Sequence, residues 1–169
     1  MRDLLENPDV PNRYAKLFVK SMRAYGYDLD FTRRSLLNDF ELIFQDERIA
    51  GEFDSKKHTR SVAFDFQTGM ACYLAETLRK KFNGLWKGHC TLNCAANVYI
   101  SYMMFGEYKF NPYMYIGYRV THGVKETDTV EKLLANLTPF LASGVEQKNR
   151  DREEAISQGK LFDNTEPWL

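Results

Sequence analysis

The stretch VAFDFQTGMACYLAETLRKKFNGLW, running from Val62 to Trp86, decides how the rest of the chain is read. Phe66, Met70, Tyr73, Thr77 and Lys81 share one helical face, and Val62, Leu74, Leu78 and Phe82 widen it. Apolar residues that return every three or four positions predict a helix packed on a core rather than a strand. Arg79, Lys80 and Lys81 make a basic last turn, and Gly84 follows the last periodic residue, as helix C-termini prefer. Two residues interrupt the pattern. Gly69 lowers helix stability relative to alanine, and Glu76 is an acid beside the apolar face. Both are expected to be structural, as are Tyr73 and Trp86. Gly69 is expected to let the sheet approach closely, and Glu76 to tie a strand or loop through hydrogen bonds.

Upstream, Tyr14, Leu17, Phe18, Ser21 and Met22 predict a first helix over 11–25, stopped by Tyr25-Gly26-Tyr27. A second helix is expected over 32–48, capped by Asp30 or Thr32, with Leu36, Phe40, Ile43 and Phe44 facing inward and Leu37 at the edge. AGEFDSKKHTR, 50–60, is polar and without period, and reads as a loop. Downstream the period changes. Strands are expected over 85–90, 97–104 and 108–110, with Gly106-Glu107 as a hairpin turn, and a further strand over 113–120 after Asn111-Pro112. Asp128 ahead of Glu131 resembles a capping box, and Val130, Leu133, Leu134, Leu137 and Leu141 continue a helix that Pro139 ends or kinks. The expected fold is α+β: an antiparallel sheet of three to four strands packed against several helices. Residues 1–143 are expected to form one domain. Residues 144–169 read as a charged helix and a tail whose Leu161, Phe162, Trp168 and Leu169 dock on the body or hold a partner.

Composition narrows the function classes. At 169 residues, 44% of them hydrophobic, the chain is long enough to bury a proper core. The 23 basic and 23 acidic residues balance, which argues against a dedicated nucleic-acid surface or a polybasic membrane anchor. The apolar runs near Val98 and Phe105 are too short to span a bilayer. The opening MRDLLENPD is acidic and polar, unlike a signal peptide, and the odd count of cysteines (Cys72, Cys90 and Cys94) suits free thiols in a reducing compartment. A cytoplasmic location is therefore expected.

Residues able to carry chemistry are present, but their spacing gives them little support. His89, Cys90 and Cys94, in HCTLNC, carry donor types that suit zinc, but no second pair follows at zinc-ribbon spacing, so ordinary strand and loop residues are the stronger reading. Cys72 or Cys90 with His58, His89 or His122 has no local signature of a nucleophile, and Cys72 reads as core. Asp65 and Glu76 would stand roughly 16 Å apart along a helix, too far for paired-carboxylate hydrolysis at about 5 to 10 Å. The tyrosines of 99–118 read first as cross-strand packing, with only Lys109 and Arg119 among them to serve a nucleic-acid surface. No catalytic residue, metal ligand or cofactor is assigned.

Three pieces carry a resemblance: DLDFTRRSLLNDFELIF (28–44), GMACYLAETLRKKFNGLW (69–86) and NPYMYIGYRVTHGVKETDTVEKLL (111–134). Together they resemble a family of small bacterial α+β domains of unknown function, some associated with immunity proteins of interbacterial toxin systems. The middle piece has Ala75 where the family pattern has a glycine before Glu76. The resemblance implies a protein without catalysis of its own that binds and neutralises a cognate toxin. Acids are the expected partner contacts: Glu41, Asp46, Glu47, Glu52 and Asp54, then Glu146, Asp151, Glu153 and Glu154 in the charged tail. For each of these acids alone, part of a solvated charged face is the stronger reading. The alternatives are a small enzyme with an unrecognised cleft and a homo-oligomeric interaction module.

Overall fold

The computed structural model describes residues 9–51, 60–82, 84–87, 102–123 and 129–139. The fold is α+β. The elements in order are α1 (Asp9–Arg23), α2 (Arg33–Ser35), a π-helical turn (Leu36–Phe40), α3 (Glu41–Ile43), α4 (Glu47–Ala50), α5 (Arg60–Phe82), β1 (Leu85–Lys87), β2 (Tyr102–Phe105), β3 (Tyr108–Phe110) and α6 (Pro112–His122). A last helix, α7, spans 130–139.

The central helix forms as expected, but its burial is not confined to one face. Every residue from Thr68 to Leu78 is buried. The small side chains of Ala71, Cys72 and Ala75 leave room for neighbours on the flanks that a one-faced helix would give to water. A helix apolar on all sides is a core element. It packs against α1, α6 and β2. Gly69 has a different neighbour from the one expected: a Cβ there would stand 3.0 Å from Phe18 Cβ and 3.4 Å from the Tyr14 carbonyl. The close approach it permits is to α1, not to the sheet.

The sheet is antiparallel, three-stranded and ordered β1-β2-β3. Its register aligns Trp86 with Met103 and Met103 with Phe110, all three buried. Leu85, Met104 and Lys109 align on the other face, exposed or half-exposed. One face is therefore wet and one packed, as antiparallel sheets permit. Gly106, at φ 57, makes the hairpin turn in the left-handed region that disfavours side chains with a Cβ. The expected strands over 85–90 and 97–104 appear as β1 and β2; 88–101 lie outside the described residues.

The expected strand over 113–120 is instead the helix α6. Asn111 Oδ1 accepts the backbone N–H of Met114 at 2.9 Å, and Pro112 occupies the first helical position, where its missing N–H has no partner to lose. Tyr113, Ile116 and Arg119 then fall on one buried face at helical spacing. Aromatic and β-branched composition favours strand, but here the cap and the tertiary environment win.

The helix expected over 32–48 starts where predicted, with Thr32 Oγ1 accepting the Ser35 N–H at 3.2 Å. It passes through the π turn, ends at Ile43, and resumes as α4 under a cap from Asp46 to the Arg48 N–H. Leu36, Phe40 and Ile43 are buried, and Leu37 and Phe44 half-buried. The first helix ends at Arg23, just before Gly26 at φ 90. In α7 the cap comes from Thr129, whose Oγ1 accepts the Lys132 N–H at 3.3 Å; Asp128 and Leu141 lie outside the described residues, as does the tail 144–169. Val130, Leu133, Leu134 and Leu137 are buried as expected.

Tyr73 is the aromatic hub of the core. Its ring centroid lies 4.9 Å from that of Phe31, 5.5 Å from Phe40 and 6.0 Å from Phe18. Its hydroxyl shares a 2.7 Å hydrogen bond with Ser35 Oγ and accepts the Phe31 N–H at 3.3 Å. Burial pushes the phenol up to about 12 from an ordinary 10.0, against the lowering effect of these hydrogen bonds. Between those two values the unfolded chain loses the proton while the folded chain keeps it, so ionisation pulls towards unfolding. Stability is whole below about pH 10 and declines as pH climbs through 12. The decline attributable to this one group is about 2–3 kcal/mol, and it should vanish in Tyr73→Phe when urea unfolding of the two proteins is compared across that range. Equal alkaline slopes would remove Tyr73 as the cause.

Candidate functional site

The solvent-facing side of α1 gathers four like charges. Arg13, Lys16, Lys20 and Arg23 recur at steps of three and four, so they stand along one face, opposite Ala15, Phe18, Val19 and Met22 on the buried side. Two open grooves run beside them. One, about 640 Å³, lies between α1 and the 28–31 segment, with Lys16, Lys20 and Arg23 along its helix side and Val19, Leu29 and Phe31 as apolar lining. The other, about 400 Å³, continues past Leu17 towards Asn12 and Arg13.

The opposite wall is firmly built. Leu29 is buried and inserts towards the core. Asp30 Oδ1 accepts the Thr32 hydroxyl at 2.6 Å and the Thr32 N–H at 3.0 Å. Burial opposes ionisation of Asp30, but these donors outweigh it and hold the carboxyl below its ordinary range. Phe31 adopts φ 63, a left-handed conformation that is rare for a bulky residue and costs about 1–3 kcal/mol. Its N–H on Tyr73 Oη and its ring against Tyr73 hold it there. Lys80 reaches over from α5, with Nζ 4.0 Å from the Phe31 ring centroid, a cation–π distance. Burial lowers the Lys80 pKa; Glu76 resists that fall, while Arg79 and Lys16 add to it by repulsion.

The residues singled out in the sequence sit elsewhere, in structural ties. Glu76 is completely buried, and its Oε1 accepts the Trp86 indole N–H at 2.8 Å, joining α5 to β1. Arg79 grips the same carboxylate through Nε at 3.0 Å and Nη2 at 2.8 Å. The anchoring role expected of Glu76 is thus the one observed, with the indole as its strand partner. Cys72 is buried in the core of α5. Among the described residues no group of three or more His, Cys, Asp or Glu side chains is placed to hold a metal ion. His58, His89, Cys90 and Cys94 lie outside them.

Of the acids expected to contact a partner, Glu41 and Asp46 are engaged internally. Glu41 receives both terminal nitrogens of the buried Arg119, and its Oε2 also accepts the Val130 N–H at 3.2 Å, at the N-terminus of α7, where a negative charge is favoured. Arg119 lies 3.9 Å over the Phe44 ring, and its Nη1 reaches Tyr115 Oη at 3.3 Å. Asp46 is chelated by Arg48 and accepts the Tyr27 hydroxyl at 2.9 Å. Hydrogen bonding from Arg48, more than any other influence, holds its carboxyl far below the usual carboxylate range. Glu47 is exposed at the start of α4. Glu52, Asp54, Glu146, Asp151, Glu153 and Glu154 lie outside the described residues.

The basic face of α1 was not singled out by sequence reasoning, although its signal was present. Four cations at helical spacing on the polar side of the first helix are visible once the helix is drawn. An overall charge of zero hides them. No helix among the described residues is long and apolar enough to cross a membrane. Comparison with protein-family models, with curated proteins and with solved structures finds no match.

Proposed function

We propose that this protein is a binding protein without catalysis of its own, acting in the cytoplasm, and that the partner it holds is a cognate toxin whose action it neutralises. The partner class comes from the resemblance of 28–44, 69–86 and 111–134 to immunity-associated domains. One observation supports binding as the role of the molecule. The charged face of α1, open to solvent, stands on a platform held rigid from beneath. Lys16 and Lys20 have no ion-pair partner among the described residues. Tyr73, Phe31 and Leu29 fix the wall opposite them. A charged face carried on a packed helix presents its field before a complementary protein arrives, which speeds the encounter.

Among the described residues, the carboxylates of Glu76 and Glu41 are held in structural roles. Glu76 would have to release Trp86 and Arg79, and Glu41 would have to release Arg119, before either could take a proton from a substrate. Co-expression with the product of the adjacent gene tests the proposal. The expected result is a stable complex on size-exclusion chromatography and survival of cells that otherwise die from that product. Neither complex nor protection would sink it.

A further inference from the structure

We infer that the groove between α1 and the 28–31 segment docks an acidic segment of the partner protein, with Lys16, Lys20 and Lys80 holding its carboxylates and Val19, Leu29 and Phe31 receiving one of its apolar side chains. This rests on the binding-protein proposal and gives the partner's contact surface its chemistry.

Charge complementarity carries the inference. Lys16 and Lys20 are an i, i+4 pair of like sign, an arrangement that by itself destabilises a helix. Lys80, from α5, stands over the Phe31 ring beside the groove, where it feels Lys16 as a repelling neighbour. Lys16 and Lys20 line the helix side of one apolar-floored depression about 640 Å³ in volume, and Lys80 stands over Phe31, a residue of the same lining. The acids of the lining make their described contacts elsewhere, Asp30 with Thr32 and Asp28 with Arg23 at 3.9 Å, so neither forms an ion pair with Lys16 or Lys20. An arriving carboxylate would offset the repulsion between Lys16 and Lys80.

The occupant is a protein rather than a nucleic acid or a lipid surface, for three reasons. The Phe31 ring is engaged by Tyr73 and by Lys80, so it is not a free platform for base stacking. Asp28 and Asp30 line the same groove, so a continuous phosphate backbone meets more repulsion there than a segment whose negative charges are spaced apart. The apolar face of α1 is buried against α5, so the helix cannot lay that face into a bilayer as interfacial helices do. What remains is a ligand with separated negative charges and an apolar side chain between them, which describes an acidic peptide segment.

The test uses the full chain and a fluorescein-labelled peptide of alternating glutamate and leucine, followed by fluorescence anisotropy. Saturable binding that weakens as salt rises is expected, with affinity about tenfold or more lower for the Lys16→Glu, Lys20→Glu double variant. Both positions are exposed and both residues are good helix formers, so circular dichroism and melting temperature should match the parent. Lys80→Ala, at an exposed position on the other helix, should weaken binding in the same direction. Equal binding of the glutamine version of the peptide would overturn the inference. So would parental affinity in the double variant, or tighter salt-sensitive binding to oligothymidylate or to phosphatidylserine vesicles. The same double variant separates the two proposals. If it still forms the toxin complex as tightly as the parent, the groove is not the contact surface but the protein remains a toxin binder; if the parent itself forms no complex, the binder proposal fails and the peptide titration alone decides the groove.

Discussion

Glu41→Ala is expected to lower the free energy of unfolding by about 3–5 kcal/mol, the range for breaking a buried ion pair from one side. The large figure follows from what is left behind. The Arg119 side chain has no solvent exposure, and Glu41 accepts both of its terminal nitrogens. Its Nε already has no hydrogen-bond partner, so without Glu41 the guanidinium keeps, among the described residues, the Tyr115 hydroxyl as its one hydrogen bond, with the Phe44 and Tyr115 rings beside it. The Val130 N–H loses its acceptor at the same time. Replacing the pair together, Glu41→Leu with Arg119→Met, should recover most of the loss, because two apolar side chains carry no desolvation penalty. Urea denaturation of the three proteins checks both statements. A loss below about 1 kcal/mol in Glu41→Ala, as expected of an exposed acid, would return Glu41 to the surface available to a partner.

The second large effect belongs to Glu76. Glu76→Ala should cost about 2–4 kcal/mol, which for a chain of this size is a fall in melting temperature of roughly 5–15 °C. The Trp86 indole N–H would be stranded where the side chain is buried, and the carboxylate that joins the end of α5 to β1 would be gone. Arg79 moderates the loss, since its side chain is 35% exposed and can turn to water. The discriminating experiment is a double-mutant cycle with Trp86→Phe. If the indole–carboxylate bond is the main link, the two single losses will sum to clearly more than the loss in the double variant. Additive losses would mean that Glu76 acts through Arg79 alone.

These two carboxylates show where sequence was informative and where it was not. Glu76 could be placed because its partners are near in the chain: Arg79 is one turn away, and Trp86 follows the helix-ending glycine. The acid's position beside an apolar face implied a buried tie. Glu41 could not be placed in this way. Nothing local connects it to Arg119, 78 residues later, and the misassignment of 113–120 as a strand concealed the helical face on which Arg119 lies. The same segment held the correct signals. Asn111 and Pro112 are a cap and a first helical position, and Tyr113, Ile116 and Val120 step by three and four, but a composition of tyrosine, isoleucine and valine spoke for strand. Periodicity over a long stretch, as in α1 and α5, outweighs composition. Over eight residues it competes with it.

The burial of Thr68 to Leu78 on every side bears on how the molecule comes apart. A helix with one wet face can remain docked while a neighbour leaves. Here α1 comes before α5 in the chain, and β2 and α6 come after it, yet all three pack against that one helix. Removing either set bares apolar surface on the helix that the other cannot reach. The ends of the described chain are therefore coupled through its middle. Loss of structure is expected to be cooperative, with the packing of α1 and of the hairpin lost in one transition.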